Sequence, residues 1–343
     1  MRAFALTGKQ RIEEQFLADP PPPGPGEVLV RVKAVGICGS DMHWYNEGGI
    51  GPLQAVYPQV LGHEPAGEVI AVGKGVRHRK EGDRVSIEPS LTCGHCEYCL
   101  QGQHNNCLHC VFLGSPAAWG FFREFALIPE HNTDLVPDNL TWTQATLIEP
   151  LAVIVHALEL VTIRLGDTVA ILGAGPIGML CAAMAKLAGA SEVFICDKLP
   201  HRLALAQKMG ATHAVAVHHM YELVMDHTQG RGVDLAIDCA AAAETINLSL
   251  QLTRPSGVFL LIGIPSEPTL AVDLFPAMNK EIKWQMLKRS NHKGSAAAKL
   301  LAQNRIPDAL ITHVLPFDQT PRGFQMLAHY SDNVGKVVIQ VSA

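Results

Sequence analysis

The sequence predicts an α/β protein: a β-rich first region, then a doubly wound parallel sheet carrying helices on both faces. Three observations predict it. Up to about residue 148 the apolar residues fall in short Val/Ile strands punctuated by Gly, such as "GEVLVRVKAVGIC" and "GEVIAVGKGV". From Thr168 they fall in near-continuous runs, "TVAILGAG", "SEVFICD", "HAVAV", "VDLAIDC" and "GVFLLIGI", with helix-like segments between them. Strands apolar on both faces are those of a buried parallel sheet. Third, the glycine-rich turn "GAGPIG" follows the first of these runs directly and opens a helical segment.

The chain of 343 residues exceeds the span of a single core, so two domains are expected. A net charge of −5 lacks the cationic face that a nucleic-acid or anionic-membrane partner would require. No apolar run reaches eighteen residues and "MRAFALTGKQ" has no signal-peptide core, so a cytoplasmic location is expected. Nine cysteines in a reducing compartment are thiols or metal ligands rather than disulfides.

Along the chain, "DPPPPGPGE" is a stiff surface loop before the first long strand. "TWTQ" at 141–144 has the form of a capping box, so a helix should start near Thr141 and bridge into the second region. The segments "PIGMLCAAMAKLAGA" and "HRLALAQKMGA" supply helices between the parallel strands. From about Lys293 the text is mixed again and ends in the strand-like "GKVVIQVSA".

In the glycine turn, Gly173 permits the tight bend and Gly175 lets backbone approach a pyrophosphate. Gly178 lets the helix pack closely on the strand, with its N-terminus facing the phosphates. Asp197 ends the second strand, where a carboxylate can bind both ribose hydroxyls of NAD and repel a 2′-phosphate. NAD is therefore expected over NADP, although Lys198 and Arg202 are cations nearby.

Cys93, Cys96, Cys99 and Cys107 form a second motif, "CGHCEYCLQGQHNNC". Their spacing suits four thiolates around one zinc ion, a closed and structural site that cannot activate a substrate. A redox pair would leave the third and fourth cysteines unexplained, and a nucleic-acid zinc knuckle would need flanking cations. Cys110 is a spare thiol.

A catalytic metal would need scattered ligands and an open position. "GICGSDMHWYNEGGIG" offers Cys38, Ser40, Asp41 and His43; "LGHEPAGEV" offers His63 and Glu64; "ATLIEPLAV" offers Glu149. Taken singly, each has a simpler reading as a core thiol, a satisfied core histidine or a solvated helix residue.

Together, "CGSDMHWYNEGGIG", "GHEPAGEVIAVG" with "GDRV", the cysteine clip, "GAGPIG" and "LIEPLAV" resemble the zinc-dependent medium-chain alcohol dehydrogenases, and within them the sorbitol (polyol) dehydrogenases. The resemblance covers about residues 28 to 290. It implies a GroES-like catalytic domain over 1–148, a Rossmann NAD-binding domain over 149–290, and a segment 291–343 returning to the catalytic domain. It further implies two zinc ions per chain. Cys38, His63 and Glu64 become ligands of the catalytic zinc, with Glu149 reaching it directly or through water, and Asp41 orients the histidine. Adjacent residues on regular backbone diverge, so His63 and Glu64 can ligate together only at a bend.

The implied chemistry is Lewis-acid activation of a secondary alcohol and hydride transfer from carbon to NAD, with Ser40 and His43 relaying the hydroxyl proton and Glu149 sharing that task. Cofactor contacts are implied for Ile177, Asp197, Arg202 and the strand end Ile262, Gly263 and Ile264. Arg289 aligns with an arginine that holds polyol hydroxyls.

Trp44 stands where sorbitol dehydrogenases carry tyrosine, Gly49 where they carry arginine, and Trp119 lies in a loop that is acidic in them. The two indoles suit a bulkier or cyclic substrate, or else packing. Threonine 3-dehydrogenase is the alternative activity, although Ser40 replaces its usual threonine. A zinc- and dinucleotide-binding sensor without turnover is the alternative of another class. A homo-oligomer, preferably a tetramer, is expected from the resemblance.

Overall fold

The computed structural model describes residues 1–342. The chain divides into two compact units. The first comprises residues 1–153, 290–304 and 311–343; the second comprises 154–289 and 305–310. Among the described residues no helix is long and apolar enough to cross a membrane.

In the first unit, the Glu27–Gly36 strand is central. Val28, Val30 and Val32 alternate into the core; past a register shift, Ala34 and Val35 are both buried. Across its sheet the strands run Thr133–Leu135, Arg84–Ile87, Glu64–Val72, Glu27–Gly36, Lys336–Gln340 and Ile311–Pro316, with Phe125–Pro129 also pairing Glu27–Gly36. The last strand of the chain thus lies antiparallel beside Glu27–Gly36, with Val338 opposite Gly36. On the other side of Gly36, Glu64 is the registered partner. Three strands therefore bring Gly36, Glu64 and the start of Lys336–Gln340 together.

Thr141 accepts from the Gln144 N–H and Gln144 returns a bond to the Thr141 N–H, so the expected capping box forms and opens a short helix over Trp142–Ala145. A longer helix, Ile148–Leu160, follows it.

The second unit is a six-stranded parallel sheet in the spatial order His213–Ala216, Glu192–Asp197, Thr168–Leu172, Val233–Asp238, Thr253–Leu261 and Lys283–Met286. Numbered along the chain this is 3-2-1-4-5-6, the doubly wound dinucleotide-binding order, whose ligand crevice lies beyond the carboxyl ends of the strands. The central strands are buried throughout; Val169, Ala170, Ile171 and Leu172 are all fully covered. That two-sided burial is why their sequence reads as unbroken apolar runs.

Candidate metal centres and nucleotide turn

The four-cysteine loop converges. The sulfurs of Cys93, Cys96, Cys99 and Cys107 all lie within 4.8 Å of one another. Cys93 Sγ is 3.5 Å from Cys107 Sγ and 4.0 Å from Cys99 Sγ. A tetrahedron of 2.3 Å zinc–sulfur bonds has edges of about 3.8 Å, so the spacing is that of a closed zinc site. Backbone N–H groups of Cys96, Cys93 and His109 point at these sulfurs. The thiols cannot ionise alike without a cation. Backbone N–H groups of Cys99 and Leu108 pull Cys96 down to about 6, whereas burial and the neighbouring sulfurs push Cys99 up to about 12. Cys110 packs against the cluster but is not one of the four converging sulfurs.

The second constellation is built from strand ends. Cys38 caps the Gly39–Glu47 helix, and its N–H donates to Asp41 Oδ2 at 3.0 Å. Asp41 Oδ1 accepts the Gly62 N–H at 3.1 Å and lies 3.4 Å from His63 Nδ1. One fully buried carboxylate thus fixes the backbone before Cys38, the backbone before His63 and the imidazole itself. This leaves Nε2 of His63 as the ligating nitrogen, the usual consequence of a carboxylate on the other ring nitrogen.

Gly62 holds φ at 89°, a left-handed conformation, and a Cβ there would press on Phe122 and Val35. The bend lies at this residue, immediately before the Glu64–Val72 strand, and it lets His63 and Glu64 face one centre. Ligand atoms of Cys38, His63 and Glu64 lie within 4.8 Å of one another. Glu149, in the first turn of Ile148–Leu160, is buried but is not part of that trio.

The electrostatics are those of a buried site crowded with charged groups. Glu64 Oε1 has no hydrogen-bond partner among the described residues. Lys336, fully buried, places Nζ against Glu64 Oε2. Burial lowers the Lys336 pKa, but Glu64, Cys38 and Glu149 more than reverse this. For His63, burial again acts downward, and Asp41 and Cys38 raise the imidazole well above its ordinary value. Burial, reinforced by Glu64 and Glu88, pushes Glu149 up to about 8. A thiol, an imidazole and a carboxylate with one oxygen free of protein donors form a borderline-soft donor set that fits zinc with an open position.

Lys336 and Gly36 are the participants that sequence reasoning missed. A Cβ on Gly36 would collide with Glu64 Oε2 and crowd Lys336 Cε, so the glycine leaves room for the pair. The available signal was a lysine opening the otherwise apolar strand "KVVIQ".

Ser40 Oγ is 3.2 Å from His63 Nε2. His43 Nδ1 is instead 3.0 Å from Glu47 Oε2, and no hydrogen bond joins Ser40 to His43 among the described residues. Trp44 is packed in the first unit's core, 5 % exposed, whereas Trp119 is 44 % exposed and lies under the Arg123 guanidinium at 6.0 Å.

In the second unit, Gly173 has φ of 98° and Gly175 caps the Pro176–Ala188 helix. A Cβ on Gly178 would strike the Gly173 carbonyl, which explains the third glycine of the turn. Ile177 lies half-buried in that helix's first turn. Asp197 ends its strand, accepts the Ala174 and Leu199 N–H groups, and has Arg202 at 3.8 Å. Ile262 and Gly263 follow the Thr253–Leu261 strand and donate their N–H groups to the Asp238 carbonyl, and Ile264 is 42 % exposed. Arg289 is half-buried and holds a positive φ of 58°, a conformation uncommon for a non-glycine residue.

The chain matches two family models: the alcohol dehydrogenase GroES-like domain over residues 24–138 and the zinc-binding dehydrogenase over 176–303. It is 35% identical to sorbitol dehydrogenase of Bacillus subtilis (strain 168) over 316 residues, 91% of this chain and 90% of that one. It is 33% identical over 331 residues to the probable D-xylulose reductase A of Arthroderma otae, covering 94% and 93%. A crystal structure of an Escherichia coli oxidoreductase/dehydrogenase of unknown specificity superposes with a TM-score of 0.93 at 32% identity, over 100% of this chain and 99% of that one. The chain belongs to the zinc-binding, medium-chain alcohol dehydrogenase family, in the branch that holds sorbitol dehydrogenase and the D-xylulose reductases.

Proposed function

We propose that this protein oxidises a secondary hydroxyl of a polyol to a ketone and passes the hydride to NAD. The observation that carries this reading is the convergence of Cys38, His63 and Glu64 on one centre, in a chain whose relatives include sorbitol dehydrogenase. Residues 1–148 with 291–343 form the catalytic domain in this reading, and 149–290 the NAD-binding domain.

Cys38, His63 and Glu64 hold the catalytic zinc, and Cys93, Cys96, Cys99 and Cys107 hold a structural one. When bound, the catalytic zinc supplies a Lewis acid for the substrate hydroxyl. Asp41 keeps the His63 ring oriented, and Lys336 balances the Glu64 charge. Ser40 Oγ, 3.2 Å from His63 Nε2, would accept the hydroxyl proton and hand on its own once that nitrogen held the metal. His43, paired with Glu47, takes that proton onward through a water or a Ser40 rotation. Glu149 is a buried carboxyl beside the centre that supplements this route.

Asp197 is the support for NAD over NADP, since a carboxylate ending the second strand of this sheet is the residue type that binds ribose hydroxyls and repels a 2′-phosphate. Gly173, Gly175, Ile177 and Gly178 serve the pyrophosphate, and Arg202, Ile262, Gly263 and Ile264 line the nucleotide. Trp44, Trp119 and Arg289 contact substrate in this reading, Trp44 from within the core of the first unit. The protein works as a cytoplasmic homotetramer in this reading.

The test is NADH formation from NAD and a panel of sorbitol, xylitol, galactitol, threonine, a simple secondary alcohol and cyclic sugars, with and without chelation. Chelator-sensitive turnover on polyols is expected. Turnover confined to threonine would move the protein to the threonine 3-dehydrogenase reading. Zinc and NAD binding without turnover on any of them would favour a sensor.

A further inference from the structure

The second unit carries a cluster of metal-ligating residues that the dehydrogenase reaction does not use. Glu192 opens the Glu192–Asp197 strand, His213 opens the neighbouring His213–Ala216 strand, and His227 ends the Met220–His227 helix. The register explains the meeting. His213 pairs with Phe194, and Glu192 lies two residues earlier on the same face as Phe194. The rings of Phe194 and His213 stack at 4.8 Å, and His227 meets the edge of both, 5.5 Å from Phe194 and 4.3 Å from His213. The aromatic floor limits how far either imidazole can turn.

We propose that Glu192, His213 and His227 bind a divalent transition-metal ion of the zinc type, at a site separate from the two zinc centres of the first unit. A single oxygen, Glu192 Oε1, lies 3.3 Å from His213 Nε2 and 3.0 Å from His227 Nδ1. Bonds of 2.0–2.1 Å to nitrogen and oxygen give tetrahedral edges of about 3.3 Å, so both edges are already near those of a zinc site. The three ligand atoms lie within 4.8 Å of one another, which leaves the nitrogen–nitrogen edge to close by ring rotation. Two imidazoles and one carboxylate are the donors of open three-ligand zinc sites, with a fourth position left to water. All three side chains are between a quarter and a third exposed, so the ion can enter from solvent. The C-terminal end of a helix, where His227 sits, favours positive charge.

The experiment uses the full-length protein already carrying its tight zinc, titrated calorimetrically with Zn²⁺, with metal per chain counted by mass spectrometry after dialysis against micromolar Zn²⁺. Wild type should take up one equivalent more than His213→Gln or His227→Gln. Each variant should bind that equivalent at least about tenfold more weakly, since loss of a ligand costs no less than loss of an outer partner. Glu192→Gln keeps the side-chain shape and should also weaken it, which guards against a histidine variant that misfolds. Cu²⁺ used as a probe should show hyperfine coupling to two imidazole nitrogens in wild type and to fewer in either histidine variant. Equal stoichiometry and affinity in wild type and Glu192→Gln, or copper spectra unchanged by both histidine variants, would overturn the proposal. Subtraction between variants also separates this site from other exposed histidines.

Discussion

The four-cysteine loop and the Cys38–His63–Glu64 centre, both in the first unit, arrange groups that could hold a metal ion in opposite ways. The loop draws its donors from fifteen consecutive residues, and its own backbone N–H groups steady the sulfurs. The other centre draws donors from two strand ends 25 positions apart, and it leaves Glu64 Oε1 without a hydrogen bond while Oε2 faces a fully buried lysine. A brace can be satisfied locally because nothing else must reach the ion. A site that must accept a substrate keeps its donors incompletely satisfied, and the surrounding sheet holds them there despite the electrostatic cost.

The largest expected effect separates the two directly. His63→Ala or Cys38→Ser should lower kcat/KM for the best polyol by about 10³-fold, the rate equivalent of the several kcal/mol a Lewis acid contributes. Melting temperature should move little and zinc per chain should fall by one. Steady-state kinetics with metal analysis checks both. A variant that loses stability but keeps its rate would break the contrast.

Next comes Lys336→Met. Removing one member of a buried pair costs about 3–5 kcal/mol when the partner stays charged. That loss should appear in zinc-stripped protein by denaturant unfolding and shrink when zinc is present to balance Glu64. The double variant Glu64→Gln/Lys336→Met should recover most of the stability while remaining inactive. Equal losses with and without zinc would show that Glu64 does not face the ion.

Cys96→Ser tests the brace. Losing one clip ligand should cost about 2–3 kcal/mol and release one zinc, with KM unchanged in the fraction that stays folded. Chelation of wild type should therefore act in two phases: early loss of activity from the open site, then a later fall in melting temperature.

How much of this was legible depended on whether the signal was local. The glycine turn, the strands around it and the cysteine clip are written in consecutive residues, and so was the capping box at Thr141. The Glu64–Lys336 pair was not, because 272 positions separate its members and only the sheet order brings their strands to either side of Gly36. The Glu192–His213–His227 cluster escaped for the same reason, since strand register rather than spacing assembles it. Trp44 shows a local signal with a packing consequence, since the Gly39–Glu47 helix sets its indole in the first unit's core.

The smallest effect supplies the benchmark for a carboxylate that needs no ion. Asp234 sits at the amino ends of three strands of the second unit, opposite the end that carries the glycine turn. It accepts the Thr168 N–H and hydroxyl at 2.9 Å each and the guanidiniums of Arg254 and Arg231 at 2.6 Å each. Burial acts to raise its pKa, but the Thr168 N–H and the two arginines bring it down to about 2. The folded state therefore releases this proton more readily than the unfolded chain, whose value is near 3.8. The stabilisation is fully present above that unfolded value and is lost as pH falls toward 2. After allowance for solvent screening it amounts to about 1 kcal/mol. Asp234→Asn should lose that amount at pH 7, measured by urea unfolding, and should converge with wild type as pH falls toward 2. Zinc should change neither curve's difference. If it did, the distinction between a carboxylate satisfied by protein donors and one reserved for a metal would fail where it ought to be clearest.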